Sequence, residues 1–161
     1  MNFVESSAIS PMPHEKSQKP EPMLINTSLV EEIKELILQS REQAIRAVDN
    51  TRVFMYWNIG KRIFEEEQAG KERADYGSYL IKSLSQALQP EFGSGFSVRQ
   101  LELMRQFYKI FPIANALRSQ LSWTHYRLLI RINNEQKRDY YVLESTKNNW
   151  TARQLERQIN S

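Results

Sequence analysis

The sequence predicts an all-α fold, a helical bundle, on three observations. Apolar residues recur at intervals near 3.6 residues over long stretches, as they do in amphipathic helices. Strand patterns, in which apolar and polar residues alternate, are nearly absent. Three of the periodic stretches open with Ser or Thr followed three positions later by Glu or Gln, which is the pattern of a helix N-terminal capping box.

The first 26 residues lack this periodicity and predict a disordered N-terminal tail, followed by one helical domain over residues 27–161. The absence of cysteine excludes disulfides and thiolate metal sites and suits a reducing compartment. No apolar run approaches the roughly 18–20 residues of a membrane span, and no secretory signal opens the chain. A cytoplasmic protein without membrane association is therefore expected.

The first predicted helix is the longest, from Leu29 to Gln68, with Ser28 as its N-cap. Its segment Val53–Gly60 is apolar on nearly all sides, so we expect it in the core. Gly60 inside a helix costs about 1 kcal/mol relative to Ala, which suggests that another backbone passes close by.

Later helices follow from the same periodicity. Pro90 is expected to end the second helix. In the fifth helix, Tyr140, Tyr141 and Leu143 are expected to face inward, and His125 in the fourth is interpreted as structural because the sequence offers it no catalytic partner. The predicted ranges are Tyr79–Leu88, Ser97–Ile110, Trp123–Ile132 and Glu135–Thr146, with a last helix after Thr151.

A seven-residue pattern occurs twice, as Phe96–Glu102 and as Trp150–Glu156. Each copy reads aromatic, Ser or Thr, any residue, then Arg-Gln-Leu-Glu. The Ser or Thr suits the N-cap, the Gln suits its partner at N3, and the aromatic residue and the Leu suit a hydrophobic staple. These roles do not explain the Arg. Arg99 and Arg153 stand at N2, where a cation costs roughly 0.3–1 kcal/mol beside the positive end of the helix. They suit contacts with phosphate or base edges, although an ordinary surface role stays open.

Charge is distributed unevenly along the chain. Residues 1–96 hold 11 Lys/Arg against 14 Asp/Glu, a net of −3, whereas residues 97–161 hold 11 against 5, a net of +6. A concentrated basic region favours a polyanionic partner such as nucleic acid, although solvated helix faces can also be basic.

Two helix-turn-helix-like units are predicted, one ending in each copy of the repeat. The second is the better candidate because a preceding helix completes a three-helix unit. The predicted DNA contacts are Arg99, Arg153 and Arg157, with Lys109, Arg127 and Arg131 as phosphate contacts.

Catalytic motifs are missing from the sequence. It contains no glycine-rich phosphate loop, no His-Glu-x-x-His pair and no nucleophile elbow. Glu-x-Lys occurs at residues 32–34 and 135–137, but both copies lie in helical patterns, whereas PD-(D/E)xK nucleases hold these groups on strands. We expect no catalytic residues, no metal site and no cofactor, so the chain is not expected to be an enzyme.

Several blocks in the same order resemble the N-terminal domain of the bacterial YhcG-like family. They are Arg41–Val48, Tyr56–Ile63, Gly95–Ser97 with Met104–Tyr108, Leu121–Tyr126, and Asn149–Thr151 with Leu155–Ile159. The resemblance covers about Leu29 to Ile159. It implies a helix-turn-helix DNA-binding module, which in the family precedes a PD-(D/E)xK nuclease domain, and it supplies no residue-level sites.

Because this chain stops at Ser161, where the family usually continues, the resemblance implies either a truncated gene product or a nuclease encoded separately. The leading hypothesis is thus a non-catalytic DNA-binding module in a nuclease-associated context. The alternative is a protein-interaction or oligomerisation domain, which docks a nuclease partner or a second copy through Val53–Ile59 and the first helix.

Overall fold

The computed structural model describes residues 9–14, 26–70, 72 and 75–161, and six α-helices account for most of them. No strand occurs in these described ranges, so the all-α prediction is confirmed. Two short 3₁₀ turns, Ser94–Phe96 and Ala114–Ala116, lie between helices. The helices are α1 (Thr27–Ala69), α2 (Tyr76–Phe92), α3 (Val98–Ile110), α4 (Trp123–Ile130), α5 (Glu135–Lys147) and α6 (Ala152–Ile159).

The chain divides into two units, and the first is Met1–Ile37. In it, residues 9–14 form no regular structure, and most of the remaining predicted tail lies outside the described residues. The prediction that Ser28 caps α1 is wrong. Asn26 Oδ1 accepts the Ser28 backbone N–H at 2.9 Å, so Asn26 caps the helix and Ser28 lies inside it.

The second unit, Leu38–Ser161, contains the main core. Phe107 of α3 is fully buried and lies against two rings of α4, with ring centroids 4.8 Å from Tyr126 and 5.2 Å from Trp123. The α1 residue Trp57 donates its indole N–H to the Phe111 carbonyl at 2.7 Å. These aromatic side chains bury large apolar areas while the indole keeps a hydrogen-bond partner, so α1, α3 and α4 are fixed together.

A smaller apolar cluster joins α1, α2 and α3 through Ile63, Ile81, Leu101 and Met104. Gly60 lies where α1 crosses α3, and a Cβ at this position would overlap the Met104 carbonyl. The close backbone approach predicted from Gly60 is therefore confirmed. Beside the crossing, Arg105 of α3 forms a partly buried ion pair with Glu67 of α1.

Two predictions about the first half of the chain are corrected by the structure. Val53–Gly60 contributes Val53 and Trp57 to the main core, as expected, but it is buried along one side and not on nearly all sides, because Phe54 and Met55 are 43% and 42% exposed. Pro90 does not end α2, which continues to Phe92. The turn around Pro90 stays closed because the Gly93 N–H reaches the Gln89 carbonyl at 2.8 Å.

The predicted inward face of α5 is wrong for two of its three residues. Tyr140 and Leu143 are 56% and 61% exposed, whereas Ser145 is 1% exposed and Tyr141 is partly buried. Arg138 is also partly buried and donates to the Ile132 carbonyl at 2.9 Å. The inward positions 138, 141 and 145 keep helical spacing, but two of them are polar, so hydrophobicity alone selected the wrong face.

Candidate nucleic-acid interface

Helices α4, α5 and α6 form a three-helix unit in which each packs against the other two. Its first helix starts at Ser122, whose hydroxyl accepts the His125 backbone N–H at 3.4 Å. In return, the Ser122 backbone N–H donates to His125 Nδ1 at 3.1 Å, so a histidine completes this capping box in place of Glu or Gln.

The ring of His125 also joins the starts of α4 and α6. Its Nε2 lies 2.7 Å from the carbonyl oxygen of Trp150, the residue just before the N-cap of α6. Since Nδ1 accepts a backbone N–H, Nε2 carries the proton and donates it to that carbonyl. With 6% of its surface exposed and both nitrogens engaged, His125 has the structural role that the sequence indicated.

The turn between α5 and α6 is a Schellman motif. Asn149 adopts the left-handed conformation, with φ of 53°, and the Trp150 N–H donates to the Ser145 carbonyl at 3.0 Å. Thr151 then caps α6 with a complete capping box, in which Gln154 Oε1 accepts the Thr151 N–H at 2.8 Å. The predicted second helix start is therefore confirmed at Thr151.

Helix α6 presents two cations on its outer face. Leu155 is fully buried and Ile159 partly buried, and the spacing of Arg153 and Arg157 places them on the opposite side, where both are exposed. Neither lies within 4.0 Å of a carboxylate oxygen of the described residues. Both guanidinium groups are thus available to an external anion.

The cations predicted on α4 differ in accessibility. Arg131, at the C-cap of α4, is exposed and lines a groove of about 200 Å³ together with Glu156 of α6 and its C-cap residue Asn160. Arg127 is partly buried, and its Nε is enclosed without a hydrogen-bond partner among the described residues. Arg127 is therefore the least accessible of the six predicted contacts.

The other two predicted contacts lie on α3. Arg99 and Lys109 are both exposed, and neither forms an ion pair with a described residue. They are ten positions apart, which is about 15 Å along a helix axis. The structure thus places Arg153 and Arg157 on the outer face of α6 and Arg131 of α4 in the groove beside Glu156, while Arg99 and Lys109 lie on a different helix.

An apolar groove between α1 and α2 was not predicted from the sequence. It has a volume of about 580 Å³, and its lining includes Met55 and Ile59 of α1 and Leu80, Leu84 and Leu88 of α2. The sequence does show the apolar side chains that line the groove, but not that the neighbouring helices leave them uncovered.

Two further observations limit the chemistry of the described residues. No group of three or more His, Asp or Glu side chains within them could hold a metal ion. No helix among them is both long and apolar enough to cross a membrane.

The fold and exposed cations define an all-helical domain with a basic C-terminal three-helix unit. Residues 32–161 match the DUF1016 N-terminal domain, and the chain belongs to this family. It is 31% identical over 156 residues to the Escherichia coli (strain K12) protein named Putative nuclease YhcG. That match covers 77% of this chain and 42% of the relative, so the chain spans less than half of the relative's length. No solved structure matches the chain.

Proposed function

We propose that this chain binds duplex DNA through the three-helix unit α4–α6, acting as a helix-turn-helix-like module and not as a nuclease. In this proposal, α6 is the recognition helix and its outer face enters the major groove. The single observation that carries the proposal is the pair Arg153 and Arg157 on that face, exposed and without an ion-pair partner among the described residues.

Three features support this reading. The turn before α6 is short and contains Asn149 in the left-handed conformation, which suits the tight turn of a helix-turn-helix unit. Arg131 of α4 lies beside α6, where it suits a backbone phosphate. Residues 97–161 carry a net charge of +6, which attracts a polyanion. The relative's name, Putative nuclease YhcG, is compatible with DNA as the partner.

The remaining predicted contacts have supporting roles in the proposal. Arg127 would contact phosphate only after its side chain moves, because its Nε is enclosed. Arg99 and Lys109 would contact DNA that extends beyond α6, since they lie on α3.

Fluorescence anisotropy with a labelled duplex tests the proposal, comparing the wild-type chain with Arg153→Ala/Arg157→Ala. Each phosphate contact that is lost should reduce the slope of log affinity against log salt by about 0.9. A matched control is Arg41→Ala/Arg52→Ala, which removes the same charge from exposed positions of α1. We expect the α6 variant to lose affinity and salt dependence and the control to keep both. Equal losses in the two variants would contradict the proposed site.

One observation favours a second candidate function, self-association through α1. The part of α1 in the Leu38–Ser161 unit exposes Leu38, Ile45, Val48 and Met55. Between Leu38 and Met55 the charged residues alternate in sign, which allows opposite charges to meet when a second copy packs against this segment; they are Arg41, Glu42, Arg46, Asp49 and Arg52. Light scattering with and without duplex DNA separates the candidates. A dimer that forms without DNA, is lost in Ile45→Glu and gives no complex with DNA would favour self-association.

A further inference from the structure

We infer that α6 reads base sequence, and that Glu156 is a specificity-determining residue of its outer face. This inference rests on the proposed function, because it concerns what the DNA-binding face selects. Its starting observation is that the face combines cations, amides and one carboxylate, and is not uniformly basic.

The geometry of α6 places these groups side by side. Its buried side contains Leu155 and Ile159, so helical spacing puts Arg153 and Arg157 at the centre of the opposite side. Glu156 and Asn160 flank these cations on the edge next to α4, where both line the groove that includes Arg131. All of these outer residues are exposed.

A carboxylate in this position is unfavourable for binding phosphate alone. It repels the DNA backbone, and it lies among the cations that a sequence-independent contact would use. No Lys or Arg nitrogen of the described residues lies within 4.0 Å of Glu156, so an internal ion pair does not explain its presence.

Base edges in the major groove give such a carboxylate a partner. The exocyclic amine of cytosine is a hydrogen-bond donor that Glu accepts, while Arg pairs with guanine and Asn with adenine. The outer face of α6 therefore carries side chains for several kinds of base, and the ligand is a duplex with a preferred sequence that includes cytosine opposite Glu156.

The repeat provides a matched control. Glu102 occupies in the first copy the position that Glu156 occupies in the second, and it is also exposed. Glu102→Gln makes the same chemical change at the same helix position, but on α3. Its effect on binding measures the general consequence of removing one negative charge.

The experiment begins with selection of duplexes from a random-sequence pool by the wild-type chain. Affinities for the selected duplex and for a scrambled one are then measured for wild type, Glu156→Gln and Glu102→Gln. We expect Glu156→Gln to lower the preference for cytosine at one position by about tenfold and to favour adenine there, because Gln pairs with adenine. We expect Glu102→Gln to leave the selected base unchanged, and thermal melting to confirm that both variants fold.

The outcomes separate the two claims. The inference is supported if the selected duplexes share a motif and Glu156→Gln changes the preferred base at one position of that motif. Binding without enrichment, or a motif that Glu156→Gln leaves unchanged, overturns the inference while the proposed DNA binding stands. A wild-type chain that binds no duplex at low salt overturns the proposed function, and the inference with it.

Discussion

Replacing Gly60 by Ala should destabilise the protein, although the same change usually strengthens a helix. In an exposed helix the substitution would gain about 1 kcal/mol. Here the added Cβ would overlap the carbonyl group of Met104 and approach the backbone nitrogen of Arg105 at 3.2 Å. These are backbone atoms of α3, so no side chain can rotate away, and α1 and α3 must separate.

The expected magnitude follows from these opposing effects. Overpacking a well-packed interior typically costs 1–3 kcal/mol, and an obstacle made of backbone lies at or above the upper end of that range. After the gain in helix propensity is subtracted, we expect a net loss of about 2 kcal/mol. For a domain of this size, that corresponds to a fall in Tm of about 8 °C.

Thermal denaturation followed by far-ultraviolet circular dichroism measures this loss. Gly95→Ala is the matched control, because a Cβ at Gly95 would meet no heavy atom within 4 Å. We expect the control to change stability by less than about 0.5 kcal/mol. A Gly60→Ala variant as stable as wild type, or more stable, would refute the close crossing of α1 and α3.

Three further predictions concern the C-terminal half of the chain. Arg99→Ala/Arg153→Ala should weaken binding to duplex DNA in anisotropy titrations. The same variant should have an unchanged or slightly raised Tm, because each cation lies beside the positive end of a helix. An unchanged affinity would remove both residues from the interface. His125→Ala should cost about 2–3 kcal/mol in urea denaturation, because it leaves the Ser122 N–H and the Trp150 carbonyl without their partner; a loss below about 0.5 kcal/mol would contradict the bridge. Burial raises the pKa of Tyr126 from 10.0 to about 12, against the opposing effect of the hydrogen bond from the Arg118 backbone N–H. The unfolded state ionises first, so this contribution to stability is complete below pH 10 and is lost as the pH rises towards 12. Tyr126→Phe should flatten the dependence of urea stability on pH in that window, and an unaltered dependence would argue against a buried phenol.

Helix existence could be predicted from the sequence because apolar periodicity and capping residues are local signals. The starts at Ser97, Ser122 and Thr151 were predicted and confirmed. The cap of α1 was missed because Ser28 and Asn26 are both good caps, and the choice between them depends on backbone geometry that composition does not reveal.

The burial of individual side chains was predicted less well, because it depends on the neighbouring helices. The inward face of α5 contains Ser145 and the guanidinium group of Arg138 as well as Tyr141 and Val142, whereas Tyr140 and Leu143 point outward. The exposure of Phe54 and Met55 on α1 depends on how much of that helix its neighbours cover, which only the tertiary structure reveals. The low accessibility of Arg127 was missed for the same reason. Helical spacing shows which face of the helix a residue lies on, but not how far neighbouring elements cover that face.

The two copies of the repeat do not achieve the same cap. At Thr151 the capping box is complete, whereas at Ser97 the backbone N–H donates instead to the Ser94 carbonyl at 3.2 Å. The 3₁₀ turn before α3 already satisfies that donor, so Gln100 is not needed as its partner. The repeated Gln is therefore required by folding in the second copy only.

Most residues of the repeat are explained by their part in folding, and two are not. The hydroxyl residues cap both helices, and each aromatic residue lies in the same apolar cluster as the Leu that it staples, Phe96 with Leu101 and Trp150 with Leu155. The Arg at N2 and the Glu that ends the repeat have no folding role in either copy. Both types are exposed in both copies, so a function that the two copies share would act through them, whereas a function of α6 alone would involve only Arg153 and Glu156. Comparing Arg99 with Arg153, and Glu102 with Glu156, therefore tests that function without disturbing either helix start.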